Sequence, residues 1–151
     1  EDIEWRERVI AKVPHAFINP LGGKTFNKKT GEWRMSGIAT TAQGIVRHDF
    51  WAIDHVDAVL ANMTSLAEGY PSIGSLIELG RATARGLLVY LILEPNYTGH
   101  ENTAMFKLHP FLEQISAATF SSVDDAIAFL QRHADVLSGW SPDFDGEISG
   151  D

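Results

Sequence analysis

The chain has 151 residues, 44% hydrophobic and 21% charged, which suits one ordinary globular domain with a sizeable core. A formal net charge of −8 argues against a nucleic-acid partner, because such binders carry a basic face, and the lack of cysteine excludes disulfides and thiolate chemistry. No apolar stretch is long enough to span a bilayer and no signal peptide is visible, so a cytoplasmic protein with no membrane partner is expected.

In chain order, Trp5, Val9, Ile10 and Val13 recur at helical spacing and predict a helix over 3–13 that Pro14 stops. Residues 15–19 read as a short strand ending at Pro20. Residues 21–43, rich in Gly, Lys, Thr and Ser, read as a long loop, a kind of segment that is often functional. Its Lys24, Lys28, Lys29 and Arg34, with Arg47 and His48 further on, are a candidate positive patch and equally a solvated loop. Residues 44–55 predict a helix, and the apolar run 57–63 a strand buried on both faces. After a loop over 64–71, a helix opens at Ser72 or Gly74 and ends at Gly86, a natural left-handed stop. Residues 87–93 predict a second buried strand and 94–102 a loop. A short helix over 104–113 is broken by Pro110, and a last strand covers 114–120. The stretch Ser121-Ser122-Val123-Asp124-Asp125 caps a helix whose apolar stripe is Val123, Ile127, Leu130 and Leu137.

Alternating helix and strand predicts an α/β domain with a parallel sheet and helices on both faces. The expectation is one domain over 1–138 and an acidic tail over 139–151, with no internal repeat.

Candidate chemistry gathers around Glu78. It lies early on the helix that follows the first buried strand, at the sheet edge where open parallel α/β folds bind ligands. Apolar neighbours Leu76, Ile77 and Leu79 would raise its pKa by desolvation, while the nearby helix N-terminus would favour the anion. Such a carboxylate suits attack on a sugar carbon through an oxocarbenium-like transition state. The plainer reading is a surface acid paired with Arg81 at i+3. Asp49 precedes the same strand and can face the same crevice, where a second carboxylate would handle the proton or orient the leaving group. Its plainer reading is a helix-surface acid. Asp54 and Asp57 read as cap or turn residues. Ser72-Ile73-Gly74-Ser75 offers hydroxyls and free N–H groups at a helix start, a site for an anion or sugar hydroxyl as well as an ordinary cap. The polar stretch Gly99-His100-Glu101-Asn102-Thr103 lies beyond a strand's carboxyl end, within reach of a ligand. His100 and His109 lack a second ligand at a recognisable metal spacing, so no metal and no cofactor are expected. Phosphate-loop, dinucleotide and nucleophile-elbow motifs are absent.

Asp49, then Asp57-Ala58-Val59-Leu60-Ala61-Asn62-Met63-Thr64, then Ser72-Ile73-Gly74-Ser75-Leu76-Ile77-Glu78-Leu79-Gly80-Arg81-Ala82 resembles the nucleoside 2-deoxyribosyltransferase superfamily. Its members include deoxyribosyltransferases and nucleoside 5′-monophosphate N-glycosidases. The resemblance runs over residues 5–130 and is specific over 49–93. It implies a flavodoxin-like sheet, a nucleophile at Glu78 that attacks C1′ to form a glycosyl-enzyme, and Asp49 orienting and protonating the leaving base. The transferases carry Asp six residues before the nucleophile; here Ser72 stands there, as in the monophosphate glycosidases, whose serine contacts the 5′-phosphate. Thr103-Ala104-Met105 resembles a Ser-Ala-Met stretch that reaches a neighbouring subunit's site, which implies a homodimer or higher homo-oligomer. Gly74, Ser75, Asn62 and Asn102 complete the expected substrate-binding set. Two features depart from the family: its opening strand and Tyr/Gly-rich loop have no counterpart in these residues, and the loop 65–70 is longer than in the short glycosidases. Two alternatives stand beside a nucleoside or nucleotide substrate that is hydrolysed or passed to another base: a non-catalytic nucleotide-sensing module, and an NAD glycohydrolase resembling the TIR domains.

Overall fold

The computed structural model describes residues 4–20, 24–27, 32–35, 41–64, 73–94 and 110–139. Its centre is a parallel sheet of three strands in the order β3 (Ala58–Asn62), β4 (Leu88–Ile92) and β5 (Ala118–Phe120). Ala58 pairs with Leu88 and Asn62 with Ile92, while Tyr90 pairs with Ala118, so the strands end at one common carboxyl edge. A separate antiparallel pair is formed by β1 (Lys24–Asn27) and β2 (Glu32–Met35).

Alternation along the central strand sorts two cores. Val89, Leu91 and Leu93 join Ile53, Met63, Leu79, Ala82 and Leu112 on one face. Tyr90 and Ile92 join Trp5, Val9, Val13, Phe120, Val123, Ala126, Ile127 and Leu130 on the other. The first face is therefore covered by α2 (Ala42–Asp54), α3 (Ile73–Ala84) and α4 (Pro110–Ile115), the second by α1 (Glu4–Lys12) and α5 (Val123–Gly139). Helices on both faces of a parallel sheet make the expected α/β, flavodoxin-like arrangement. Both crossovers, β3-α3-β4 and β4-α4-β5, pass over one face, as successive crossovers of a single hand require. On the opposite face, Arg8 of α1 pairs with Asp124 of α5, and Gln131 Nε2 donates to the Lys12 carbonyl at 2.8 Å.

The helix ends follow local chemistry. Thr41 caps α2, its Oγ1 accepting from Gly44 N at 3.0 Å. Ser122 caps α5: its Oγ accepts from Asp125 N at 3.0 Å and donates to Asp125 Oδ2 at 2.8 Å. Gly86 has φ +73°, and Gly86 N and Leu87 N donate to Thr83 O and Ala82 O, the paired bonds of a left-handed helix stop.

Four expectations need correction. Residues 15–19 form no strand; they lie between two prolines that lack N–H donors, and Phe17 and Ile18 are each 37% exposed. The stretch 21–43 is not one loop: β1 and β2 pair Phe26 with Trp33 and Thr25 with Arg34, aromatic and β-branched positions that favour strands. The helix expected over 104–113 runs on to Ile115: α4 is described from Pro110, whose missing N–H suits a first helical position, and residues 104–109 lie outside the described residues. The last strand is only Ala118–Phe120, because 114 and 115 still belong to α4. Residues 95–109 and 140–151, with the loops and tail read there, lie outside the described residues. No helix among the described residues is long and apolar enough to cross a membrane.

Candidate active site

Two helices position the candidate carboxylates. Chain direction sets their sense: α2 runs into the start of β3, and α3 descends from the end of β3 to the start of β4. They therefore lie parallel, both with N-termini at the carboxyl edge of the sheet. Across the pair, residues that meet stand 27 to 31 positions apart, Asp54 with Arg81 at one limit and Asp54 with Arg85 at the other. Asp49 and Glu78 stand 29 apart. The helix packing thus sets both on the carboxyl-edge side of the Asp54–Arg81 contact, Glu78 by about one turn and Asp49 by somewhat more.

Asp49 lies on the inward stripe of α2, four residues before the buried Ile53, and its side chain is 15% exposed. His48 Nδ1 lies 3.2 Å from Asp49 Oδ1. Glu78 lies on α3 between the stripe facing the sheet, Leu79 and Ala82, and the stripe facing α2, Arg81 and Arg85. It is partly exposed, not buried. Of the apolar neighbours expected to desolvate it only Leu79 is inside; Ile77 is 54% exposed. Both carboxylates have interaction partners in the fold.

Below them sits a polar cluster that the sequence did not reveal. Arg81 places both arms of its guanidinium on Asp54, Nε to Oδ1 at 3.0 Å and Nη2 to Oδ2 at 2.7 Å. Its Cζ lies 4.5 Å from the centre of the Phe50 ring. Arg85 adds an ion pair to Asp54 Oδ1 at 3.4 Å and a bond to the Asp54 carbonyl at 3.3 Å. Hydrogen bonding from Arg81 holds the Asp54 carboxyl below its ordinary value; partial burial opposes this, and the charges of Arg81, Arg85 and His55 reinforce it. The same bond raises Arg81. Asp54 is therefore the acceptor of an interhelical fork rather than a cap. Asp57 is a backbone partner, its carbonyl receiving Leu88 N at 3.4 Å.

Asn62 closes β3, and its Oδ1 accepts from Thr64 N at 2.9 Å. Thr64 Oγ1 in turn accepts from Glu94 N at 3.0 Å, tying the end of β3 to the end of β4. Asn62 is thus held by its own turn. Gly74 and Ser75 occupy the first turn of α3, and Ser75 is half-buried with an interaction partner of its own. Ser72, Asn102 and Thr103 lie outside the described residues, as do His100, His109, Lys28 and Lys29. Among the described residues no three or more His, Cys, Asp or Glu side chains are grouped to hold a metal ion.

The signal that could have found the Asp54–Arg81–Phe50 cluster was the spacing Phe50, Asp54 and Arg81, Arg85, each an i,i+4 pair on its helix. It could be paired across helices only once the register was known. Comparison with known protein families finds none whose model matches this chain, and no characterised protein matches it in sequence.

Proposed function

We propose that this domain cleaves the N-glycosidic bond of a nucleoside 5′-monophosphate or nucleoside, with Glu78 as nucleophile and Asp49 assisting the base. What supports the reading is that α2 and α3, which carry Asp49 and Glu78, are neighbouring helices tied together by Asp54, Arg81 and Arg85, with both carboxylates on the carboxyl-edge side of that tie. In the first step Glu78 Oε attacks C1′, the bond to the base nitrogen breaks, and its electron pair leaves with the base. Asp49 gives that nitrogen a proton and orients the ring. In the second step water or another base attacks C1′, the C1′–Glu78 bond breaks with its electron pair returning to Glu78, and the proton lost by the attacking group passes to Asp49, giving hydrolysis or transfer of the sugar. Water exclusion from the closed crevice decides between them. No cofactor takes part.

The charge pattern supports an anionic substrate on this side of the sheet. α4 and α5 carry Glu113, Asp124 and Asp125 in their first turns. The first turns of α2 and α3 carry no acid, although the chain is strongly acidic. Helix N-termini with no acid in the first turn favour a phosphate. Ser72 near the phosphate, Asn102, and a partner subunit's Thr103 in a homo-oligomer belong to the same proposal.

The test is chromatography of free base released from a panel of nucleosides, their 5′-monophosphates and NAD, with a second base as acceptor and Glu78→Ala in parallel. Release from monophosphates or nucleosides that Glu78→Ala abolishes is the expected result. A new nucleoside bearing the added base would make the enzyme a transferase. Release of nicotinamide alone would move the assignment to an NAD glycohydrolase. Binding of a monophosphate without release from any substrate would make the domain a nucleotide sensor.

A further inference from the structure

We infer that the Asp54–Arg81 fork is a positioning device that sets the level of Asp49 against Glu78; as a statement about catalysis it rests on the reading just given. The apolar contacts that join α2 to α3, Ile53 against Leu79 and Ala82, hold the helices together. They are non-directional and tolerate sliding along the axes. The fork does not. Two parallel N–H···O bonds at 3.0 and 2.7 Å fix both the separation and the relative height of Asp54 and Arg81. Arg81 also stacks on Phe50, the residue next to Asp49, so the same guanidinium grips α2 at two points one turn apart. Arg85 holds Asp54 a second time, at its carboxylate and its carbonyl.

The lever is short. Arg81 is three residues along α3 from Glu78, about 4.5 Å of rise, and Asp54 is five residues along α2 from Asp49, about 7.5 Å. A slip of one helical turn, about 5.4 Å, would carry one carboxylate past the other. An error of about 1 Å between reacting groups is already enough to cost a large factor in rate. Lysine at 81 would keep the charge but lose the planar fork and the stacking, so Arg81→Lys removes positioning with little change in electrostatics.

Because the chain has no cysteine, the geometry can be read without relying on activity. The variant Asp49→Cys/Glu78→Cys is treated with a short bismaleimide, and the rate of intramolecular cross-linking is followed by mass spectrometry. The same pair is made with Arg81→Lys and with Asp54→Asn, and Trp51→Cys/Glu78→Cys serves as an off-face control, Trp51 lying about 200° around α2 from Asp49 and being 53% exposed. Cross-linking should be fast with the fork intact, at least about fivefold slower with either fork variant, and slow in the control. In parallel, Arg81→Lys and Asp54→Asn in the cysteine-free chain should lower kcat for base release about tenfold with KM within about twofold. Circular dichroism should confirm that both variants are folded at the assay temperature. Unchanged cross-linking and unchanged kcat in the fork variants would overturn the inference. So would a fall in kcat no greater than the fraction unfolded. A chain that releases no base but cross-links in a fork-dependent way would support the positioning geometry while refuting the catalytic reading. An active chain with fork-independent cross-linking would do the reverse.

Discussion

Replacing Leu79 by alanine tests whether the helix that carries Glu78 is anchored as described. Leu79 is 1% exposed and sits among Ile53, Met63, Ala82, Val89, Leu91, Leu93 and Leu112, so it joins α2, α4 and two strands. Truncation removes three buried carbons and leaves a void that such surroundings fill only in part. Leu→Ala at sites of this kind costs about 3 to 5 kcal/mol. In a domain of this size each kcal/mol lowers Tm by roughly 2–4 °C, which gives a fall of roughly 6–20 °C. The control is Leu88→Ala, on the neighbouring strand but 48% exposed, where about 0.5 kcal/mol or less is expected. Urea unfolding followed by tryptophan fluorescence measures both. Glu78 and Leu79 are adjacent on the helix, so base release by Leu79→Ala at a temperature where it remains folded should also fall, whereas Leu88→Ala should leave it unchanged. A cost below about 1 kcal/mol for Leu79→Ala would refute the packing of α3 on the sheet, and with it the placement of Glu78.

Gly86→Ala should cost about 1 kcal/mol in the same unfolding assay: the left-handed φ of +73° penalises a Cβ, yet a Cβ there meets no atom within 4 Å, so the cost is backbone alone. Ser122→Ala removes the cap of α5 and should cost about 1 kcal/mol, with hydrogen exchange accelerated first at Asp125, whose amide loses its acceptor. Asp54→Asn carries a pH signature. Its carboxyl is held below the ordinary 3.8 in the folded state, so its stabilisation is full above that value and is lost as pH falls through the lowered one. The stability difference between wild type and Asp54→Asn should therefore be constant at neutral pH and shrink only below about pH 4; a difference that is flat through that range would refute the fork as the source.

The parts of the fold legible in sequence are those where one residue pattern has one physical meaning. Residues 87–93 are a continuous apolar run because β4 is covered on both faces, and Val89 and Tyr90 feed different cores from adjacent positions; β3, expected from 57–63 to be equally buried, is only half-buried along its length. Gly86 was readable as a stop because a left-handed residue is needed there. The hairpin was hidden because its strands are four residues each, too short for alternation to stand out among lysines and glycines. Pro110 was ambiguous because the same missing N–H breaks a helix from inside and suits its first position. Asp54 was misjudged for a deeper reason. Its role depends on the offset between two helices, which is a property of how both pack on the sheet and not of either segment. The candidate site divides the same way: residue type and edge placement singled out Glu78 and Asp49, but only the fold shows that the helices carrying them are neighbours.

The proposed preference for a phosphate can be given a magnitude. In the proposed site the N-termini of α2 and α3, whose first turns carry no acid, face the phosphate. Each favours an anion by roughly 0.3–1 kcal/mol, so together they supply roughly 0.6–2 kcal/mol, about 3- to 30-fold. Against this stands the chain's net charge of −8, which repels any anion from afar. The two effects differ in reach: the helix ends act at contact, whereas the net charge acts over a Debye length and is screened by salt. If the phosphate is bound at the helix ends, kcat/KM for a 5′-monophosphate should exceed that for its nucleoside about 3- to 30-fold at low ionic strength. Raising salt from about 20 mM to about 0.5 M should then alter this ratio by less than about threefold, because attenuation of the helix-end attraction and relief of the net repulsion oppose each other. A nucleoside turned over as well as its monophosphate at both salt concentrations would place the phosphate outside the crevice and leave the unguarded helix ends without a ligand. A ratio that rises about tenfold or more with salt would mean that repulsion by the acidic chain, not contact at α2 and α3, governs substrate choice.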